Sequence, residues 1–118
     1  MMVFVDSSAL YAMTEPRDVN HRAACRVWER IARGDDPIAT TNYVLVETIS
    51  LIHRRLGHVA VVSFLDLVVP ALNVLWVDQD THQAAIARFQ QEGKRQVSLV
   101  DCASLVVLER EGIRGVRV

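Results

Sequence analysis

The sequence predicts an α/β fold: a short parallel sheet of four to five strands flanked by helices in three layers. Three observations lead there. Short apolar, β-branched runs recur at Met2–Val5, Ile38–Thr41 and Asn73–Val77. Longer stretches of helical periodicity separate them, and cap or breaker residues mark the joints. Strands that alternate with helices in this way build parallel sheets covered on both faces.

Each element has a local reason. Met2–Val5 is apolar enough for a buried strand, and Asp6-Ser7-Ser8 offers caps to a helix starting near Ala9. The run Glu15-Pro16-Arg17-Asp18 breaks the chain. A helix is then expected over Val19–Arg33, with Ala24, Val27, Trp28 and Ile31 on its inner side and Gly34 as its stop. Ile38–Thr41 follows as a strand. Asn42–Leu56 reads as a helix closed by Gly57, with an apolar stripe of Leu45, Ile49, Ile52 and Leu56. A further helix covers Val59–Val69 and ends at Pro70. After the strand Asn73–Val77, Asp80 or Thr81 caps a helix that runs to Gln91. The last helix is Ser98–Glu111, Gly112 ends it, and Ile113–Val118 is expected to begin a fourth strand.

Composition narrows the function classes. At 118 residues the chain reads as one domain, 1–118. The net charge of −1 argues against a basic coat that binds nucleic acid indiscriminately, leaving room for a local patch. Cys25 and Cys102 are too few and too far apart for a disulfide framework or a zinc spacing, and both read as small hydrophobes on helices. No apolar run is long enough for a signal sequence or a membrane span, so a soluble, cytoplasmic protein without a membrane partner is expected. His21, His53, His58 and His82 show no metal-binding spacing. No glycine-rich phosphate loop or nucleophile elbow is present. Trp28 and Trp76 read as core residues.

In parallel sheets the working groups lie outside the carboxyl ends of the strands. Asp6 stands at such an end, although a helix cap explains it equally well. Asp101 completes a capping-box pattern with Ser98. It also shares a helix face with Leu105 and Leu108, where a carboxylate is costly unless paired or bound to metal. Glu47 lies opposite the apolar stripe of its helix, with Tyr43, Ser50 and Arg54. Spacing alone marks it as a solvated surface residue.

A family resemblance adds to this reading. Val3-Phe4-Val5-Asp6-Ser7-Ser8-Ala9-Leu10 resembles the opening of PIN-domain nucleases. Thr41-Asn42-Tyr43-Val44-Leu45-Val46-Glu47-Thr48 resembles their second signature, and Ser98-Leu99-Val100-Asp101-Cys102-Ala103-Ser104 their third. The likeness covers the whole chain, and the combination is similar to VapC toxins of VapBC toxin–antitoxin systems. It implies a metal-dependent endoribonuclease in which Asp6, Glu47 and Asp101 converge as catalytic metal ligands. Crowded carboxylates repel one another, and a hard cation such as Mg²⁺ or Mn²⁺ relieves that conflict. The resemblance further implies cleavage leaving a 5′-phosphate and a 3′-hydroxyl, an RNA substrate, a cognate antitoxin and a homodimer. Ser8 and Ser98 are expected to orient the acids.

One departure is visible. PIN nucleases usually carry a fourth acid after the last strand, and no acid follows Glu111 here. A catalytically silent PIN-fold module that binds an antitoxin or RNA is therefore the alternative. Arg22, Arg26, Arg30 and Arg33 form one stripe, read as a solvated helix face in preference to a phosphate rim or a docking surface.

Overall fold

The computed structural model describes residues 2–34 and 36–113. Strand β1 (Val3–Phe4) is followed by helices α1 (Ser7–Thr14) and α2 (His21–Arg33). Strand β2 (Ile38–Thr41) leads directly into α3 (Asn42–Leu56), and α4 (His58–Leu67) follows. A single 3₁₀ turn over Val69–Ala71, with Pro70 inside it, precedes β3 (Leu72–Leu75), α5 (Gln79–Glu92) and α6 (Leu99–Glu111).

The strands are parallel in the order β1-β2-β3, with Val3 opposite Ile38 and Thr41 opposite Leu75. All three therefore release the chain at one edge of the sheet. Helices flank that sheet, as expected. The strand count is a correction: three strands stand among the described residues, against the four to five predicted. Of the fourth expected strand only Ile113 is described, and it is not in a strand; residues 114–118 lie outside the described range.

Two cores hold the elements. The larger gathers Val3, Phe4 and Val5 with Leu10, Tyr11, Ile31, Val44, Ile52, Phe64 and Leu72. The smaller joins Val77 and Ala85 to Cys102, Ala103 and Val107 where α5 and α6 meet. Burial of side chains the size of Phe4 or Ile52 stabilises by about 1.5–3 kcal/mol each. Burial also pushes the Cys102 thiol up from its ordinary value.

The inner face of α2 is as expected, with Ala24 and Ile31 buried and Val27 and Trp28 packed against the core. In α3 the inner line differs: it is Val44, Thr48 and Ile52, with Leu45, Ile49 and Leu56 beside it. Thr48 can occupy a core position because its hydroxyl donates to the Val44 carbonyl at 2.7 Å, leaving no unsatisfied group.

Strand β3 starts one residue earlier than predicted and stops two earlier, because its partner β2 runs out at Thr41. Trp76 thus falls beyond the pairing and is 72% exposed, not a core residue as predicted. The cap of α5 moves back with it. Asp78, rather than Asp80 or Thr81, accepts from the Thr81 backbone N–H at 2.9 Å. That bond holds the Asp78 carboxyl below its ordinary range. No helix among the described residues is long and apolar enough to cross a membrane.

Candidate active site

The three strand exits are tied together before any functional residue is considered. At the end of β1, the Val5 carbonyl accepts a bond from the Thr40 hydroxyl at 3.0 Å. At the exit of β3, the Val77 N–H donates to Asn42 Oδ1 at 2.6 Å, fixing that turn to the first residue of α3. Side chains then cap the helices that leave this edge. Asp6 accepts from the Ala9 N–H at 3.1 Å for α1, and Thr41 accepts from the Val44 N–H at 3.1 Å for α3. Asp78 serves α5 as described. Three helix N-termini therefore face one edge, each with the positive end of its dipole, which favours an anion there.

Asp6 is half-buried in the turn between β1 and α1. Its Oδ1 makes the cap bond, so the cap reading holds, and Oδ2 has no hydrogen-bond partner among the described residues. Glu47 is exposed on α3, as its spacing suggested. It is not a free surface residue, because the Ser7 hydroxyl donates a hydrogen bond to its Oε1 across 40 positions of sequence. That contact draws Glu47 to the Asp6 turn and leaves Oε2 unbonded among the described residues.

Asp101 lies half-buried in the first turn of α6. The capping box is complete: the Ser98 hydroxyl accepts from the Asp101 N–H at 3.1 Å, and Asp101 Oδ2 accepts from the Ser98 N–H at 2.9 Å. Helix α6 packs against α3 and α5, and Leu99 shares the smaller core with Tyr43 at the start of α3.

Asp6 and Glu47 are thus brought together through Ser7, and Asp101 stands on a helix packed beside them. The three are not gathered at ligand distance. Among the described residues no three His, Cys, Asp or Glu side chains stand close enough to hold one ion. The donor chemistry nonetheless fits a hard cation. Each carboxylate is oriented by a hydrogen bond to one oxygen and keeps the other free.

Sequence reasoning named Ser8 as an orienting hydroxyl, but Ser7 bonds Glu47; Ser8 lines the same cleft with Ser50, Leu51 and Arg54. Ser98 does orient an acid, through its backbone N–H. A second pair escaped the sequence altogether. The Tyr43 hydroxyl and His82 Nδ1 are hydrogen-bonded, with the rings edge-on at 5.9 Å. Tyr43 precedes Glu47 by one helical turn, and nothing in the sequence linked it to a residue 39 positions away. The four arginines of α2 are exposed, as expected for a solvated face.

Comparison with known proteins agrees with the fold. The family model described as the PIN domain matches residues 3–116. The 23S rRNA-specific endonuclease VapC20 of Mycobacterium tuberculosis is 32% identical over 114 residues, or 96% of this chain and 85% of that protein. The same protein from strain H37Rv gives the same identity and coverage. The crystal structure of M. tuberculosis VapC20, described as a Sarcin-Ricin loop cleaving toxin, is similar at a TM-score of 0.81 and 32% identity. That match covers 95% of this chain and 85% of the other.

Proposed function

The chain belongs to the PIN-domain family, and from that premise we propose that it is a metal-dependent endoribonuclease, the toxin of a type II toxin–antitoxin pair. The reading rests on one observation above the others. Glu47, which spacing alone would leave as a surface residue, is bonded through Ser7 to the turn that carries Asp6. A surface glutamate with no task gains little from being fixed in one orientation, since ordering a long side chain costs entropy. A ligand or general base gains a great deal.

In this proposal Asp6, Glu47 and Asp101 are the side chains that would hold Mg²⁺ or Mn²⁺, which would have to draw them together from positions that are not at ligand distance. When bound there, such an ion would supply positive charge at the scissile phosphodiester and would make water a usable nucleophile near neutral pH. The chain's own groups do the rest. The Ala9 N–H, the Ser7 hydroxyl and the Ser98 N–H keep the three carboxylates oriented. The N-termini of α1, α3 and α5 favour the phosphate at this edge. The products are a 5′-phosphate and a 3′-hydroxyl.

The target class follows from similarity. VapC20 is named for 23S rRNA and described as cleaving the Sarcin-Ricin loop, and we propose a structured RNA loop as substrate, recognised by shape and unpaired bases. A cognate antitoxin, a homodimer, a cytoplasmic location and a single domain spanning 1–118 complete the proposal.

The test is cleavage of a ribosomal hairpin RNA with Mg²⁺, with Mn²⁺, and with EDTA. The expected result is cutting that needs either metal and is lost in Asp6→Asn. Cutting that persists in EDTA, or in Asp6→Asn at the wild-type rate, would overturn the assignment.

A further inference from the structure

We infer that Arg54 is a phosphate anchor, gripping the RNA at a phosphate next to the one that is cut; the inference rests on the nuclease reading above. It begins with one face of α3. Glu47, Ser50 and Arg54 stand at positions i, i+3 and i+7, so they share a side of the helix. The same three residues line a cleft with Ser7, Ser8 and Leu51. Its volume is about 390 Å³, within the range of clefts that hold small ligands, so a sugar–phosphate unit has room.

Arg54 is set apart by its place in the cleft, which Arg22, Arg26, Arg30, Arg33 and Arg95 do not line. Several basic residues among those described are already engaged: Arg17 with Glu15, Arg88 with Glu109, Lys94 with Glu92, and Arg110 with the Thr81 hydroxyl. Arg55, next in sequence, lies over the Tyr11 ring at 5.4 Å. Arg54 is exposed, has no ion-pair partner among the described residues, and shares its cleft with a carboxylate it does not pair with. A guanidinium fork left open beside hydroxyl donors matches the oxygens of a phosphate.

Position decides which phosphate it holds. Glu47 and Arg54 are seven positions apart on the helix, about 10 Å at 1.5 Å per residue. That separation puts Arg54 on a neighbouring phosphate, with the scissile one left at the carboxylates. An acidic peptide could also meet a lone guanidinium. The hydroxyls of Ser8 and Ser50, with that of Ser7 already given to Glu47, and the shared cleft with Glu47 favour the nucleic-acid backbone.

The test compares full-length wild type with Arg54→Gln, Arg54→Lys and Arg55→Gln on a fluorescein-labelled hairpin RNA. Binding is measured in EDTA across a KCl series, and cleavage in Mn²⁺. One lost phosphate contact should flatten the slope of log affinity against log salt by about 0.7 to 0.9. Arg54→Gln should show that change and a KM raised about 5-fold, with kcat falling less than KM rises. Arg54→Lys should recover most of the slope because the charge remains. Arg55→Gln should keep the wild-type slope, which separates a phosphate contact from a general loss of fold.

An unchanged slope and KM in Arg54→Gln, with wild-type cutting intact, would overturn the anchor and leave the nuclease reading standing. Wild-type binding without cutting would sink the nuclease reading, while the slope comparison would still support or overturn the anchor. Neither binding nor cutting by wild type would overturn both, and cutting in Mn²⁺ without binding in EDTA would overturn the anchor alone.

Discussion

Asp101 is the residue on which structural and chemical roles most need separating, since its carboxylate caps α6 and is also proposed to hold metal. Two substitutions pull the roles apart. Ser98→Ala deletes the hydroxyl that accepts from the Asp101 N–H at 3.1 Å but leaves the Asp101 carboxylate in place. Loss of a serine N-cap costs about 1 kcal/mol. For a chain of this size that lowers Tm by about 4 °C. Asp101→Asn keeps an oxygen able to accept from the Ser98 N–H, now at 2.9 Å, and gives up only the favourable charge near the helix N-terminus. That charge is worth less than about 1 kcal/mol, so Tm should fall by no more than for Ser98→Ala.

Activity should reverse the order. A carboxylate that helps hold the metal contributes several kcal/mol at the transition state. At about 1.4 kcal/mol per factor of ten, Asp101→Asn should lose at least about 100-fold in kcat/KM. Ser98→Ala, assayed well below its Tm, should lose far less. Thermal unfolding by circular dichroism and hairpin-RNA cleavage in Mn²⁺ give the two readouts on the same samples. If Asp101→Asn cuts as well as Ser98→Ala, the carboxylate is a helix cap and nothing more.

Three further outcomes are expected. Ile52→Ala, at a fully buried position in the larger core, should cost about 2–5 kcal/mol in urea unfolding; a loss under 1 kcal/mol would mean that α3 is not held as described. Hydrogen bonds from Arg17 depress the Glu15 carboxyl below its ordinary value of 4.5, and Thr81 does the same for Asp78. A depressed folded-state pKa contributes stability that is present above the unfolded pKa and is lost as pH falls through the folded one. Tm should therefore drop as the pH is taken below 4.5, less steeply in Glu15→Gln than in wild type; parallel curves would refute the assignment. Cys102 is buried with its thiol pushed up, while Cys25 is half-buried beside His21 at 3.6 Å. A disulfide-exchange reagent at pH 8 should titrate Cys25 quickly and Cys102 only after unfolding. Fast reaction of Cys102 in Cys25→Ser would show that the smaller core opens readily.

Much of the architecture was determined by local chemistry alone. The bounds of β2 and α3, the inner face of α2 and the capping box at Ser98 were legible because periodicity and capping act over a few residues. Asp6 and Asp101 were visible for the same reason, each following a pattern carried by its immediate neighbours. What the tertiary structure decided involves partners far apart in sequence. Strand β3 ends at Leu75 because β2 ends at Thr41, which left Trp76 in solvent. Ser7, rather than Ser8, meets Glu47, because only the packing of α1 on α3 determines which of two adjacent hydroxyls faces that helix. Tyr43 finds His82, and Arg54 is left unpaired in a cleft, for the same reason. A sequence specifies which groups are available along each element, but the distances between elements arise only when the sheet and its helices pack, and the chemistry of this edge depends on those distances.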